Sequence, residues 1–307
     1  MNSNLPAIKD AIRLEPSLTG RSHLGRKWLP ALFPVLFCAG AARDLPGWVF
    51  MWLLAVSLFV GAKWVTIADR LSFRSVPPTR LAAYLFLWPG LNPEEFCFES
   101  GRRPSRDEWL GASAKTVLGA AIVWGAVRFL PERDSLLIAW LGMFGIVLLL
   151  HFGLFHLVSN LWRSVGFNAM PLMRNPLRAT SLAEFWGNRW NKGFHDLMTP
   201  HVFAPLARRF GAMTAVLSVF LISGLLHEIV LSVPARGGFG LPTLYFVAQA
   251  AGLLLERSNL GRSFGLGHGL SGWLFTAAVT GGLAYWLFSP IFVRNVILPM
   301  LQAIGAT

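Results

Sequence analysis

The sequence predicts an all-α polytopic membrane bundle of about seven to eight transmembrane helices, with re-entrant or interfacial helices between them. Three observations predict it. Apolar residues make up 54% of the 307-residue chain and charged residues only 14%, against roughly 45–50% and about 25% in an ordinary soluble domain. The apolar residues gather in runs of helical length. The basic residues sit between those runs and give a net charge of +12, as loops facing an anionic membrane surface or a phosphorylated ligand would. A nucleic-acid binder would instead collect its charge on a soluble fold, so no nucleic-acid partner is expected.

Residues 1–27 read as a cytoplasmic N-terminal segment and residues 28–307 as a single membrane-embedded domain. The run from Trp28 to Cys38, followed by Ala39, Gly40 and Ala41, imitates a secretory signal. Its polar lead is long for one, and a retained first helix is the expectation. Spans follow at Trp28 to Ala42, Pro46 to Ala62, Ala112 to Leu130, Ser135 to Trp162, Ala212 to Val233, Leu241 to Leu255 and Leu270 to Ser289, each apolar and helix-like in length. Leu81 to Gly90 is too short to cross at about 1.5 Å per residue and reads as a re-entrant or interfacial piece. Cys38 and Cys97 fit no metal-ligand spacing and read as packing residues.

With the N-terminus inside, segments 1–27, 63–115, 162–211 and 256–269 fall on the cytoplasmic side and hold 22 of the 27 Lys and Arg residues. That bias sets the orientation by the positive-inside rule and puts the C-terminus outside. The basic residues are 22 Arg against 5 Lys, which points to a GC-rich bacterial genome and hence to a bacterial cytoplasmic membrane.

Ser181 and Glu184 have the spacing of a capping box, which predicts a helix from Ser181 ended by Pro200. Along it Trp186, Trp190 and Phe194 recur at i, i+4 and i+8, and Gly187, Asn191 and His195 form a second line. A plain amphipathic interfacial helix explains both lines without a site. His227 and Glu228 fall two thirds of the way along a predicted span, where an ionisable side chain costs roughly 2.5–3.5 kcal/mol on insertion scales. They read either as a site or as a buried structural polar pair. Ser223 and Gly224 sit beside His227 and leave room for a ligand or another helix. His151 and His156, at i and i+5, share no face and read as core or cavity-lining residues. Position 231 is Leu, so the H-E-x-x-H zinc motif is absent. Gly267 to Gly272 matches G-x-G-x-x-G without the preceding strand that a dinucleotide site needs.

Together, the block Ser181 to Asn191, which reads S-x-x-x-F-W-G-x-R-W-N, and the block Ser223 to Glu228, which reads S-G-x-x-H-E, resemble the wax synthase branch of the membrane-bound O-acyltransferase superfamily. Trp88 to Pro93 resembles an upstream element of the same proteins. The resemblance implies an enzyme that moves an acyl group from acyl-CoA, a co-substrate, to the hydroxyl of a lipophilic alcohol, with no cofactor or metal. His227 matches the family's histidine and would act as general base. Asn191 matches its polar partner and would either orient the donor or hydrogen-bond the developing oxyanion. Trp186, Trp190, Ser223 and Gly224 would line the substrate site, and Arg189 and Lys192 would contact coenzyme A. Arg174, Arg178, Arg208 and Arg209 lie on the same face, although positive-inside topology explains all these charges without a ligand.

Two other readings remain at this point. One is a transporter with a His227–Glu228 proton relay. The other is an acyltransferase for an extracytoplasmic glycan, for which the external loops are short. Acyl-chain length, acceptor identity and oligomeric state have no signal in the sequence.

Overall fold

The computed structural model describes residues 30, 32, 35, 36, 40, 44–70, 76–131 and 135–307. The predicted N-terminal segment, most of the first span and Cys38 lie outside the described residues. Among those described the chain is helical, with no strand and one isolated bridge, between Ser100 and Phe167.

Helix α1 (Gly47–Arg70) leads into a short α2 (Pro78–Leu87) and α3 (Pro93–Phe98). Then come α4 (Arg106–Trp124) and α5 (Ser135–Ser164), the latter wound as a π-helix over Leu148–Leu154. The motif region follows as α6 (Leu182–Glu184), α7 (Lys192–Met198) and α8 (Ala204–Phe210). Helix α9 (Ala212–His227) continues through a π-turn at Glu228–Ser232. The fold closes with α10 (Leu241–Arg257), α11 (Asn259–Ser263), α12 (Gly269–Leu287) and α13 (Pro290–Ala303).

Four helical runs are long and apolar enough to cross a membrane: Gly47–Ala68, Arg106–Phe129, Ser135–Ser164 and Lys192–Ala235. The pair α12 and α13, bent by 54°, makes a fifth if it counts as one span. The expected seven to eight are therefore not reached among the described residues. Two causes are physical. Helix α10, at 17 residues, is only about 26 Å long at 1.5 Å per residue, short of the roughly 30 Å hydrocarbon layer. The predicted span Leu270 to Ser289 ends where Pro290 starts a new helix in another direction.

The outer faces show why these helices suit lipid. On α1 the exposed side chains Trp52, Val56, Val60 and Trp64 recur every four residues, and on α9 Met213, Leu217, Leu221 and Leu225 do the same. Each row is a continuous apolar stripe turned away from the protein, which water would penalise and hydrocarbon does not. With the apolar spans, they make this an integral membrane protein.

Inward faces build several cores. One joins α1, α4, α5 and α13 through Met51, Val123, Ile138, Met143, Val293 and Leu301. Another joins α6, α9 and α10 through Leu182, Phe220, Tyr245, Phe246 and Leu253. Buried Arg163 closes the α4–α5 pair by bonding Glu108 at 2.5 Å. A third device holds α2 and the Trp88-Pro89-Gly90 turn. Lys63 of α1 is 3% exposed, and its ammonium donates to the carbonyl oxygens of Tyr84 (2.7 Å), Trp88 (2.8 Å) and Gly90 (2.6 Å). All three ammonium protons are used, and the charge also sits 3.5 Å from the centroid of the Tyr84 ring. The C-terminal end of α2 thus gains partners for carbonyls that a helix end would otherwise leave open.

Candidate active site

His227 ends α9. Its Nδ1 lies 2.7 Å from the Ser223 carbonyl oxygen one turn back. A carbonyl only accepts, so Nδ1 carries the proton and Nε2 keeps its lone pair. The ring rests against Phe246 of α10, with centroids 4.6 Å apart. The two helices can meet here because Gly224 has no side chain: a Cβ on it would lie 2.8 Å from the Thr243 Cα. At Gly224 a neighbouring helix takes the space, and Ser223 and Gly224 are both buried.

Glu228 faces away from His227. Its Oε1 accepts from the Gly240 amide (3.0 Å), the Thr243 amide (3.1 Å) and the Thr243 hydroxyl (2.9 Å). A carboxylate in that place satisfies the open amides at the start of α10 and complements the helix dipole.

The predicted capping box is present. Ser181 Oγ accepts from the Glu184 amide at 2.9 Å, while the Glu184 carboxylate reaches back to the Thr180 amide at 2.9 Å rather than to Ser181. The predicted helix from Ser181 to Pro200 is corrected. Helix α6 widens into a π-turn over Phe185–Arg189, and the chain breaks at Trp190 and Asn191. Asn191 adopts φ 46° and ψ 62°, the left-handed region, and its Oδ1 accepts from the Phe194 amide at 3.2 Å to cap the new helix α7. The break is held from outside, since the Arg174 amide donates to the Arg189 carbonyl (2.8 Å) and the Lys192 amide to the Leu172 carbonyl (2.9 Å). Pro200 does not end α7: it falls in a π-turn at Thr199–Phe203, where the backbone bonding is already shifted.

The single aromatic stripe is therefore split. Trp190 stacks on Phe185 (5.5 Å) and meets Phe152 of α5 edge-on (6.0 Å). Trp186 turns the other way and packs on Phe220 and Phe246, both at 5.8 Å. Phe246 thus touches both Trp186 and His227. No hydrogen bond joins Asn191 to His227, and the Asn191 amide nitrogen has no partner among the described residues.

Arg189 and Lys192 are occupied within the protein. Arg189 holds the Glu184 carboxylate at 2.6 Å and donates to the Arg174 and Asn175 carbonyls, both at 3.2 Å. Burial works against the charged Glu184 carboxyl, but the Thr180 amide and Arg189 outweigh it and hold its pKa below the usual carboxylate value. Lys192 bonds Asp196 and lies 3.6 Å from Glu95. Arg178, Arg208 and Arg209 are exposed and have no carboxylate partner among the described residues. His151 and His156 lie on α5, where no cluster able to hold a metal occurs among the described residues.

Sequence reasoning missed Phe246, Lys63 and Glu256. Phe246 carries no signal, being one apolar residue in an apolar helix. Lys63 and Glu256 do carry one, since each is the first charge after a predicted apolar run.

Asn191 has a testable backbone role. Asn191→Ala removes a cap worth about 0.5–2 kcal/mol and leaves in the left-handed region a residue without the polar side chain by which asparagine tolerates it, at roughly 1–2 kcal/mol, whereas Asn191→Gly keeps the backbone at ease. Thermal unfolding in detergent is expected to show a clearly lower Tm for the alanine variant than for the glycine variant. Equal Tm values would mean that the left-handed backbone at 191 does not constrain the residue there.

Residues 169–248, which contain both Asn191 and His227, match the membrane bound O-acyl transferase family. The chain is 31% identical over 147 residues to a long-chain-alcohol O-fatty-acyltransferase from Simmondsia chinensis, covering 43% of this chain and 41% of that protein. It is 29% identical over 147 residues to the probable long-chain-alcohol O-fatty-acyltransferase 7 of Arabidopsis thaliana, covering 43% and 42%. To the acyl-CoA--sterol O-acyltransferase 1 of the same plant it is 27% identical over 160 residues, 44% of each. Each match spans less than half of the relative's length. All three relatives are plant proteins, so the bacterial expectation rests on the Arg-to-Lys ratio alone. The match across the segment that carries Asn191 and His227 makes this chain similar to the membrane bound O-acyl transferase family and to relatives named as long-chain-alcohol O-fatty-acyltransferases.

Proposed function

We propose that this protein is an O-acyltransferase that moves an acyl group from acyl-CoA to the hydroxyl of a lipophilic alcohol, a fatty alcohol or a sterol. The observation that carries the reading is the His227 ring, oriented by Ser223 with its Nε2 lone pair unengaged, inside the segment that matches the family. In the reaction, Nε2 takes the acceptor's hydroxyl proton as the alcohol oxygen attacks the thioester carbonyl carbon. The C–S bond then breaks, and the proton passes to the departing thiolate. No acyl-enzyme is needed.

The Asn191 side chain, with its oxygen engaged by Phe194, has its amide nitrogen left to donate to the thioester oxygen or to an amide of the donor. Phe246 is the aromatic surface against His227, with Trp186 packed on it, and Trp190 immediately precedes Asn191. With Arg189 and Lys192 paired inside the protein, the exposed Arg178, Arg208 and Arg209 suit the phosphates of coenzyme A better. The basic bias of the sequence supports a cytosolic position for this face and for the N-terminus, on the side where acyl-CoA is made. A His227–Glu228 proton relay has less support, because Glu228 holds the start of α10 and makes no bond to His227.

The test is thiol release and ester formation in membranes containing the full chain, given palmitoyl-CoA with hexadecanol or with a sterol. Ester in the lipid extract together with released thiol is expected for one acceptor class or both. Folded protein that yields neither with a broad set of alcohols and acyl-CoAs would overturn the proposal.

A further inference from the structure

One face of α10 touches both halves of the proposed site. Thr243, at its start, receives Glu228 and abuts Gly224. One turn on, Phe246 lies against His227 and Trp186. Gln249 accepts from the Trp186 indole N–H at 3.3 Å and donates to the Val279 carbonyl at 2.8 Å. Leu253 shares a core with Leu182. At the end of the helix Glu256, 6% exposed, accepts from the Leu182 amide at 2.6 Å and the Ala183 amide at 3.4 Å. Positions 243, 246, 249, 253 and 256 recur at three to four residues and form one stripe.

Glu256 completes what the capping box leaves open. Ser181 satisfies the Glu184 amide, and Glu184 itself reaches Thr180, so the first two amides of α6 have only the Glu256 carboxylate. The glycine run that mimicked a dinucleotide motif encloses this contact. A Cβ on Gly267 would sit 3.6 Å from Glu256 Cγ, and one on Gly272 would collide with the Thr180 carbonyl oxygen. Any larger residue at position 272 would push the start of α6 off α10.

We propose that α10 is a spacer that fixes the separation of His227 from the Trp186–Asn191 block, and that Glu256 is the positioning residue that locks this block to it. The catalytic consequence rests on the acyl-transfer reading, while the spacer itself does not. Glu228 fastens the His227 end and Glu256 the Leu182–Ala183 start of the motif block, so one rigid helix carries the register between the groups that must act on a single thioester. Small errors in such a register are costly: misplacement by about 1 Å lowers rates by up to roughly a hundredfold.

The experiment uses the full chain with Cys38 and Cys97 replaced by alanine. Spin labels go on the exposed positions Asn188, in the motif block, and Leu225, beside His227, and their electron–electron distance is measured in detergent. Turnover of palmitoyl-CoA and hexadecanol is measured on unlabelled protein. A narrow distance distribution is expected for the parent protein and a broad one for Glu256→Ala. The same substitution should lower kcat by on the order of tenfold or more with KM for both substrates within about twofold. Glu256→Gln, which keeps one accepting oxygen, should recover part of both readouts, and it carries the comparison alone if the alanine variant does not fold. An unchanged distance distribution overturns the spacer. A broadened distribution with unchanged kcat, or a rise in KM alone, overturns the positioning role. If no protein, parent included, transfers acyl groups, the acyl-transfer reading fails and the distance measurement still decides the spacer.

Discussion

Replacing His227 by alanine is expected to reduce ester formation from palmitoyl-CoA and hexadecanol by about 10² to 10⁴, the range a positioned general base contributes. The ring's own hydrogen bond sets the terms of the test. Because Ser223 fixes the proton on Nδ1, the side chain has one basic nitrogen, and no other group within the π-turn after it supplies a second. His227→Gln sharpens the comparison, since a glutamine amide can still donate to a neighbouring carbonyl but cannot take a proton. Both variants should lose transfer alike while Tm in detergent falls little, because the ring's packing partner Phe246 is held mainly by Trp186, Phe220 and Tyr245. A glutamine variant with parental turnover would exclude His227 as the base.

Lys63→Met is expected to be the most destabilising single change away from the site. Methionine roughly matches the lysine stem in length and tolerates an irregular apolar setting, so the lost packing is small and the lost bonds dominate. Three carbonyl oxygens, those of Tyr84, Trp88 and Gly90, would be left without the donor they share. Removing one partner from a buried, charge-assisted cluster typically costs about 3–5 kcal/mol. A cost of that size should appear as a large fall in Tm in detergent and in the yield of folded protein. It should also loosen the turn at Trp88 to Gly90, read as faster backbone hydrogen exchange there than in α4. A variant with the parental Tm would mean that water replaces the ammonium.

How far these features are legible from the residues depends on whether their causes are local. The Ser181–Glu184 cap is local, four residues long, and forms with its predicted oxygen and amide. The end of that helix is not. Asn191 looks like an interior polar residue by spacing, and it becomes a break because the strand of chain at 172–174 bonds to 189–192 from outside, which periodicity cannot register. Charge counting fails for a related reason. It treats every Lys and Arg as facing a loop, yet Lys63 and Arg163 are buried and paired within the bundle. Nearness to the motif makes Arg189 and Lys192 candidate ligand contacts, yet Glu184 and Asp196, five and four residues away, pair with them locally, and only Glu95 is brought to Lys192 by tertiary placement. His227 was legible because an imidazole inside an apolar run has few bland explanations, and Glu228 beside it proved to be a helix cap.

The meeting of Gly224 with Thr243 has one more consequence, for how a lipid travels. A hydrocarbon chain is about 4 Å across, the width of two touching methylene surfaces, and the backbones at this crossing leave less than that between them. The seam between α9 and α10 is therefore a wall and not a doorway. Whatever long-chain molecule arrives at the imidazole must come along one of its other flanks, and widening the Gly224 position cannot open a shorter road.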